Sequence, residues 1–214
     1  MNGSARIALV GFGEAGQAFA RGWPDNWRSK AITYDIKLRD AVLRDEITGA
    51  CARIGIDVAE SLPAALDTAG HVFSLVTADR AQEAASQAAE AIRPATYFFD
   101  CNSCSPATKK TSQAAIEGAG GRYVDVAIMA PIASALHRTA LLVSGPHAED
   151  ACAWLETLDM RPSLVGAEVG QASAIKMLRS VMIKGMEALT AACMLAARRA
   201  SVEEAVLAST QASD

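Results

Sequence analysis

Several features are scarce in this sequence, and each scarcity excludes a class of protein. The 214 residues carry a net charge of −4. They hold no run of basic residues and no basic–aromatic stripe, so the positive face that binds nucleic-acid phosphates is not expected. No stretch resembles an apolar span of about 20 residues, which argues against a membrane-spanning protein. The N-terminal residues lack the charged start and small-residue cleavage site of a signal peptide.

Cysteines are few, odd in number and irregularly spaced. The sequence has five of them, which favours a reducing compartment and predicts a cytoplasmic protein. Hydrophobic residues make up 51% of the chain and charged residues 21%, which is the balance of a folded globular protein. No set of cysteines and histidines has the spacing of a metal site, so no metal is predicted.

Short β-rich runs alternate with alanine-rich helical runs along most of the chain. Strands are predicted at residues 6–10, 31–34, 71–76, 96–99, 123–127 and 140–143, with helices between them. Such alternation predicts an α/β fold with a mainly parallel sheet covered on both faces. From about residue 168 to residue 200 nearly every residue is a helix former, which predicts one long helix.

A glycine-rich turn follows the first predicted strand. It consists of Gly11, Phe12, Gly13, Glu14, Ala15 and Gly16 and has the GxGxxG spacing. In this pattern the glycines permit a tight turn, close approach of the backbone to a pyrophosphate, and packing of the next helix, whose N-terminus attracts phosphate. Because the turn lies between a strand and a helix, it predicts a dinucleotide-binding site.

Asp35 ends the second predicted strand, where the acid that binds the cofactor ribose is expected. A carboxylate accepts hydrogen bonds from a free 2′-hydroxyl and repels a 2′-phosphate, so Asp35 favours NAD. Lys37 and Arg39 follow closely and are able to reach a 2′-phosphate, so NADP stays an alternative. Both are equally well explained as solvated surface charges.

The stretch DCNSCSP places Cys101 and Cys104 three positions apart. A redox pair would also lie at the start of a helix, so the position alone does not decide its role. A zinc site would need two further ligands at a recognisable spacing, and the other cysteines and the histidines are isolated. We therefore interpret the stretch as a substrate loop in which the cysteines occupy small-residue positions.

The glycine turn, DCNSCSP, YVDVAIMAP and GQASAIKMLRS, in that order, resemble the β-hydroxyacid dehydrogenase superfamily, and especially its 6-phosphogluconate-dehydrogenase-like branch. The resemblance implies a Rossmann-type NAD(P)-binding domain at residues 1–166 and a helical region at residues 167–214, joined by a long helix. It also implies a small-molecule substrate bound by Asn102, Ser103, Asp125 and Ser180, and a cofactor that contacts Val76 and Thr77 as well as the glycine turn and Asp35.

The same resemblance makes Lys176 the acid–base group, since it matches the lysine of the family pattern GxGxxxKxxxN. Ser180 replaces the asparagine of that pattern, one helical turn from Lys176 on the same face. The Ser-Gly-Gly segment of 3-hydroxyisobutyrate dehydrogenases is missing. Ile183 stands where phosphogluconate enzymes carry a glutamate, so decarboxylation of 6-phosphogluconate is not expected.

The helical region is short compared with the family's, and two helices alone cannot form a core. We therefore expect a homodimer through the C-terminal helices. The sequence predicts an NAD(P)-dependent oxidoreductase of small hydroxy acids or related carbonyl compounds. A dinucleotide-binding module or sensor without turnover, and an imine-reducing relative, stay open as alternatives.

Overall fold

The computed structural model describes residues 6–211, and the part of the chain before Ile175 contains an eight-stranded sheet. The strands are β1 (Arg6–Val10), β2 (Ala31–Tyr34), β3 (Asp57–Val58), β4 (Ala69–Ser74), β5 (Tyr97–Asp100), β6 (Arg122–Ile128), β7 (Ala140–Ser144) and β8 (Arg161–Gly166). Their order in the sheet is β3-β2-β1-β4-β5-β6-β7-β8. All neighbours are parallel except β6 and β7, which are antiparallel.

Nine α-helices are described. They are α1 (Glu14–Gly22), α2 (Asp25–Arg28), α3 (Ala41–Ile54), α4 (Leu62–Leu66), α5 (Ala81–Ala89), α6 (Pro106–Gly118), α7 (Ala148–Thr157), α8 (Gln171–Arg199) and α9 (Glu203–Gln211). The alternation of strands and helices, the mainly parallel sheet and the long helix confirm the predicted α/β fold class with a helical C-terminal region.

The core lies on both faces of the sheet and is rich in aromatic rings. Phe73 and Phe99 stack at 4.8 Å between ring centroids on neighbouring strands. His71 stacks on Trp154 of α7 at 3.6 Å, and this stacking fixes α7 against the sheet. Because the strands carry buried residues on both faces, they read in the sequence as continuous apolar runs.

Several predicted boundaries differ from the structure. Residues 38–53 read in the sequence as one helix between the second and third predicted strands, but a 3-10 turn at Ile36–Arg39 precedes α3. Asp40 separates the two, since its carboxylate accepts from the backbone N–H groups of Val42 and Leu43 and caps α3. The sequence pattern does not predict strand β8, because only two of its residues, Leu164 and Val165, are large and aliphatic.

The chain divides into two compact units, one ending at Ala174 and the other beginning at Ile175. The first turn of α8 therefore belongs to the unit that contains the sheet. Helix α8 is also long and apolar enough to cross a membrane by length and composition, which corrects the expectation that no such stretch exists. This single helix is weak evidence for a membrane span.

Candidate functional site

The glycine turn joins β1 to α1 and has the backbone geometry that the sequence predicts. Gly11 has φ +93°, and a Cβ atom there would lie 2.6 Å from the carbonyl oxygen of Leu75. A side chain at Gly16 would lie 2.6 Å from the carbonyl oxygen of Gly11. A Cβ at Gly13 would meet no atom within 4 Å, so this glycine faces open space at the N-terminus of α1. Gly11 and Gly16 are thus required by packing, while Gly13 leaves room for a ligand.

Asp35 lies beside this turn at the end of β2 and is 7% exposed. One carboxylate oxygen accepts from the backbone N–H of Phe12 at 2.7 Å, and the other accepts from the N–H of Lys37 at 2.9 Å. Each carboxylate oxygen has further acceptor capacity. The carboxylate is therefore fixed in orientation and remains able to accept from a ribose hydroxyl.

A cleft of about 480 Å³ opens between the loops that follow β1 and β4. After β1 the chain continues to β2 on one side, and after β4 it continues to β5 on the other side of the sheet. Such a topological switch point is where ligands bind in open α/β folds. The predicted residues that line the cleft are Gly11, Gly13, Glu14, Ala15, Asp35, Val76 and Thr77. Phe12 and Gly16 do not line it, since the Phe12 side chain is buried in the core and Gly16 packs on Gly11.

Other residues of the cleft were missed from the sequence. They are Val10, Tyr34, Ile36, Leu62, Leu75, Arg80, Glu83, Ala84 and Gln87. The last four recur at helical spacing directly after β4, so one face of α5 and the turn before it forms a wall. This helical spacing is the signal in the sequence from which the wall of the cleft could have been predicted. Lys37 lines the cleft and Arg39 does not.

Asn102 is buried and its amide is fully engaged inside the protein. Its Oδ1 accepts from the backbone N–H of Val76 at 2.8 Å. Its Nδ2 donates to Ser74 Oγ at 2.9 Å and to Asp100 Oδ1 at 2.8 Å. Asn102 thus connects the loop after β5 to the loop after β4, where Val76 lines the cleft. Ser103, the next residue, is exposed.

A fully buried charge cluster lies under this loop. Lys109 Nζ lies 3.0 Å from Asp100 Oδ1 and 3.3 Å from Asp125 Oδ1, and all three side chains are 0% exposed. Tyr123 donates its hydroxyl to Asp100 at 2.6 Å. Burial by itself lowers the pKa of Lys109, but the two carboxylates outweigh it and hold this pKa above its ordinary value. The lysine is therefore charged, and it compensates the buried carboxylates.

Asp125 uses its other oxygen to hold the start of α8. Oδ2 accepts from the backbone N–H of Gly170 at 3.0 Å and from the N–H of Ser173 at 3.2 Å. A carboxylate at a helix N-terminus is stabilised by the unpaired N–H groups and the positive end of the dipole. The side chain is 0% exposed, so it holds the first turn of α8 and lies out of reach of solvent.

The two cysteines of the loop are buried thiols. Burial raises the pKa of the Cys104 thiol to about 11, so little thiolate forms at neutral pH. No group of three or more histidine, cysteine, aspartate or glutamate side chains within residues 6–211 is arranged to hold a metal ion. The geometry favours the interpretation of these cysteines as small packing residues.

Lys176 and Ser180 lie in the second unit, on α8. Both side chains are half-buried, and they stand one helical turn apart. Ser173, which bonds to Asp125, precedes Lys176 by three residues on the same continuous helix. The network around Asp125 thereby fixes the beginning of the helix that carries both residues.

The chain belongs to the family defined by the NAD-binding domain of 6-phosphogluconate dehydrogenase, whose model matches residues 6–158. This match confirms the resemblance drawn from the four motifs and makes the first unit an NAD-binding domain. The observed cleft fits a dinucleotide, since Gly13 leaves open space at the α1 N-terminus and the Asp35 carboxylate lines the same cleft. No curated protein matches the chain significantly.

Solved structures show the same fold over nearly the whole chain. A conserved hypothetical protein from Sinorhizobium meliloti 1021 is 33% identical, with a TM-score of 0.86, over 98% of this chain and 70% of that one. A conserved protein of unknown function, described as similar to 3-hydroxyacid dehydrogenases, is 30% identical, with a TM-score of 0.80, over 96% of this chain and 75% of that one. An imine reductase from Myxococcus stipitatus bound to NADP+ is 20% identical, with a TM-score of 0.76, over 97% of this chain and 70% of that one, a likeness in fold alone.

Proposed function

We propose that the protein is an NAD(P)-dependent oxidoreductase that interconverts a small hydroxy acid, or a related alcohol, and its carbonyl compound. The observation that carries the proposal is the cleft at the carboxyl ends of β1 and β4, with its open glycine turn and fixed carboxylate. Glu14 to Ala15 begin the helix whose N-terminus faces a pyrophosphate, and Asp35 accepts from the ribose. The nicotinamide of the bound cofactor supplies or accepts the hydride.

Lys176 is proposed as the acid–base group. As the alcohol carbon loses hydride, the neutral lysine amine accepts the hydroxyl proton, and the C–O single bond becomes a carbonyl. In the reverse direction the ammonium donates that proton to the forming alkoxide. Ser103 and Ser180 are proposed to hydrogen-bond the substrate. Asn102 and Asp125 are proposed to act by positioning, because their side chains are committed to internal hydrogen bonds.

The test is a panel of hydroxy acids with NAD+ and NADP+, followed by Lys176→Ala on any substrate that turns over. We expect kcat to fall by about 10²–10⁴-fold in this variant while NADH still binds, since general acid–base catalysis contributes about that factor. Lys184→Ala, an exposed lysine on the same helix, is the matched control and should keep its activity. Equal losses in both variants would sink the role of Lys176.

The preferred cofactor is proposed to be NAD. The Asp35 carboxylate lies at the ribose end of the cleft and repels a 2′-phosphate, while Lys37 in the same cleft attracts one. Calorimetric titration with NADH and NADPH measures which effect is larger. We expect tighter binding of NADH, and a shift toward NADPH in Asp35→Asn, which keeps an acceptor oxygen for the Phe12 amide. Tighter binding of NADPH to the wild type would mean that attraction of the 2′-phosphate by Lys37 outweighs its repulsion by Asp35.

A second candidate is a dinucleotide-binding sensor without turnover. The observation that favours it is that Asn102 and Asp125, two of the four predicted substrate ligands, point their polar atoms inward. NADH binding without turnover of hydroxy acids, carbonyl compounds or cyclic imines would support this candidate. Turnover of cyclic imines alone would identify an imine-reducing enzyme, the activity that the name of the Myxococcus stipitatus protein states.

Self-association through the C-terminal helices is also proposed. Leu178, Met182, Met186 and Leu189 recur at helical spacing on α8 and are 71%, 65%, 54% and 73% exposed. Such a stripe suits the apolar core of an interface between two copies. Light scattering should give a dimer, and the double variant Leu178→Glu, Leu189→Glu should give a monomer. Val42→Glu places one glutamate at an exposed valine of the first unit and should leave the dimer intact.

A further inference from the structure

A second cavity lies in the first unit and shares no lining residue with the cofactor cleft. Its volume is about 360 Å³, and its walls are Gln17 and Arg21 of α1, Arg28 of α2, and Ala50, Arg53 and Ile54 of α3. Three arginines, one from each of three helices, thus line one cavity. Neither the family match nor the cofactor accounts for this convergence.

Two of the three arginines have no protein partner for their charge. Within residues 6–211, no hydrogen bond or ion pair engages the side chain of Arg21 or Arg53. Arg28 pairs with Asp25 and donates to the carbonyl oxygen of Arg21 at 3.4 Å. Arg21 and Arg53 are exposed, so water screens their mutual repulsion, and an anion between them would be attracted by both positive charges.

Helix ends account for only part of this charge. Each arginine lies in the last turn of its helix, where a cation is favourable. The ends of α1 and α3 contribute roughly half a negative charge each, and α2, with four residues, contributes less. About one positive charge is left, which suits one small anion rather than a polyanion.

The local sequence makes room for the Arg53 side chain. Gly49 stands one turn before Arg53 on α3, and a Cβ atom there would lie 3.4 Å from Arg53 Nη1. The glycine allows the guanidinium to lie against the helix beside the cavity. Ala50 and Ile54 add an apolar wall, and Gln17 adds an amide. The combination of guanidinium groups, an amide and an apolar wall matches a phosphate carried on a small organic group.

We propose that this cavity is a binding site for a small organic phosphate, with the phosphate on Arg21, Arg28 and Arg53 and the organic part against Ala50 and Ile54. Guanidinium groups bind phosphate oxygens through paired charge-assisted hydrogen bonds, which gives the site its specificity for phosphate over halide ions.

The proposed phosphate site is adjacent to the glycine turn, because its residue Gln17 directly follows Gly16 in the sequence. Gln17 lines the cavity, and its Nε2 donates to the carbonyl oxygen of Phe12 at 3.1 Å. The N–H of Phe12 in turn donates to Asp35. A ligand that contacts Gln17 is therefore expected to change NADH affinity, and NADH to change phosphate affinity by the same factor. This link rests on the proposed cofactor function, whereas the phosphate site does not.

The test is calorimetric titration of the full chain with inorganic phosphate and with phenyl phosphate. We expect both to bind, phenyl phosphate more tightly, and the double variant Arg21→Gln, Arg53→Gln to bind at least about tenfold more weakly. The control Arg198→Gln, Arg199→Gln removes the same charge from the last turn of α8 and should bind like the wild type.

The variant Gly13→Asp separates this site from the glycine turn. A carboxylate at position 13 repels phosphate from the cofactor cleft, where a side chain meets no atom, and should leave binding at the arginines unchanged. Phosphate binding that disappears in Gly13→Asp and persists in the double arginine variant would overturn the proposal, as would no binding by the wild type at about 10 mM. Absence of NADH binding would overturn only the cofactor proposal, since the phosphate titration contains no NADH.

Discussion

Residues up to Ala174 and residues from Ile175 on differ in how they cover their apolar surface. The first unit buries nearly all of its large hydrophobic side chains around the sheet. In the second unit, the part of the chain that the structure describes buries only Ala197, while Leu178, Val181 and Leu189 are more than 70% exposed. Hydropathy alone would not separate the two units, since both are rich in apolar residues.

The difference shows what a sheet contributes to burial. Each strand of a sheet has two faces, and helices pack against both. One sheet therefore buries the apolar faces of several helices. A pair of helices has a single mutual seam, and the rest of each surface stays open. Stability of the first unit should therefore depend on its internal contacts, and the exposed stripe of the second should matter through association.

The largest effect is expected at the buried charge cluster of the first unit. Lys109→Met removes the cation between Asp100 and Asp125 and leaves two buried carboxylates uncompensated. We expect the free energy of unfolding, measured by urea denaturation, to fall by about 3–5 kcal/mol. Lys110→Met, the exposed neighbour, should change it by less than about 0.5 kcal/mol. A small effect of Lys109→Met would mean that water or another cation reaches the cluster.

A smaller effect is expected from acid on the aromatic core of the first unit. Burial against Trp154 and the neighbouring rings lowers the pKa of His71 from 6.5 to about 4. Because the unfolded state binds the proton more readily, stability contributed by neutral His71 is present above pH 6.5 and is lost as the pH falls toward 4. Between about pH 7 and about pH 5 the loss should reach about 2 kcal/mol.

His71→Phe tests this assignment, since phenylalanine keeps a ring beside Trp154 and has no proton to bind. The difference in unfolding free energy between wild type and variant should change with pH in the same window, and carboxylate titrations should cancel in that difference. A constant difference from pH 7 to pH 5 would show that His71 is not the titrating group.

Alanine substitutions at Gly11 and Gly13 of the glycine turn should lower the free energy of unfolding by different amounts. Gly11→Ala forces a side chain into φ +93° and toward the Leu75 carbonyl, at an expected cost of about 1–3 kcal/mol. Gly13→Ala meets open space and should cost less than about 0.5 kcal/mol. Chemical denaturation of both variants measures the contrast. Equal costs would show that the two glycines are required for the same reason.

The smallest effect is expected in the second unit. Leu189→Ser leaves no cavity in a single copy of the protein, because the leucine side chain is already 73% exposed. The free energy of unfolding of the first unit, followed by tryptophan fluorescence at low protein concentration, should change by less than about 0.5 kcal/mol. A loss of several kcal/mol would mean that Leu189 is covered by contacts on which the first unit depends.

Much of the fold could be predicted because the signals were local. β1 and β2 have the predicted bounds, since apolar runs and the glycine turn each act over a few residues. β8 and the antiparallel pairing of β6 with β7 were not predicted, because pairing depends on distant segments. Arg80, Glu83 and Ala84 recur at helical spacing, which predicts a shared helix face. No sequence motif indicates that this face lines the cleft.

The sequence by itself determined the NAD-binding class, through the order of the glycine turn, Asp35 and the later motifs, since turn geometry and ribose recognition need particular residues at fixed spacing. Only the tertiary structure decided the hydrogen-bond partners of Asn102 and Asp125, two residues that the motifs predict at the substrate and whose side chains bond inside the protein. The same holds for Lys109, an unremarkable helix residue in the sequence that stands fully buried between two carboxylates. The reason is physical: a polar side chain's role depends on which partners reach it, and strands distant in sequence supply those partners.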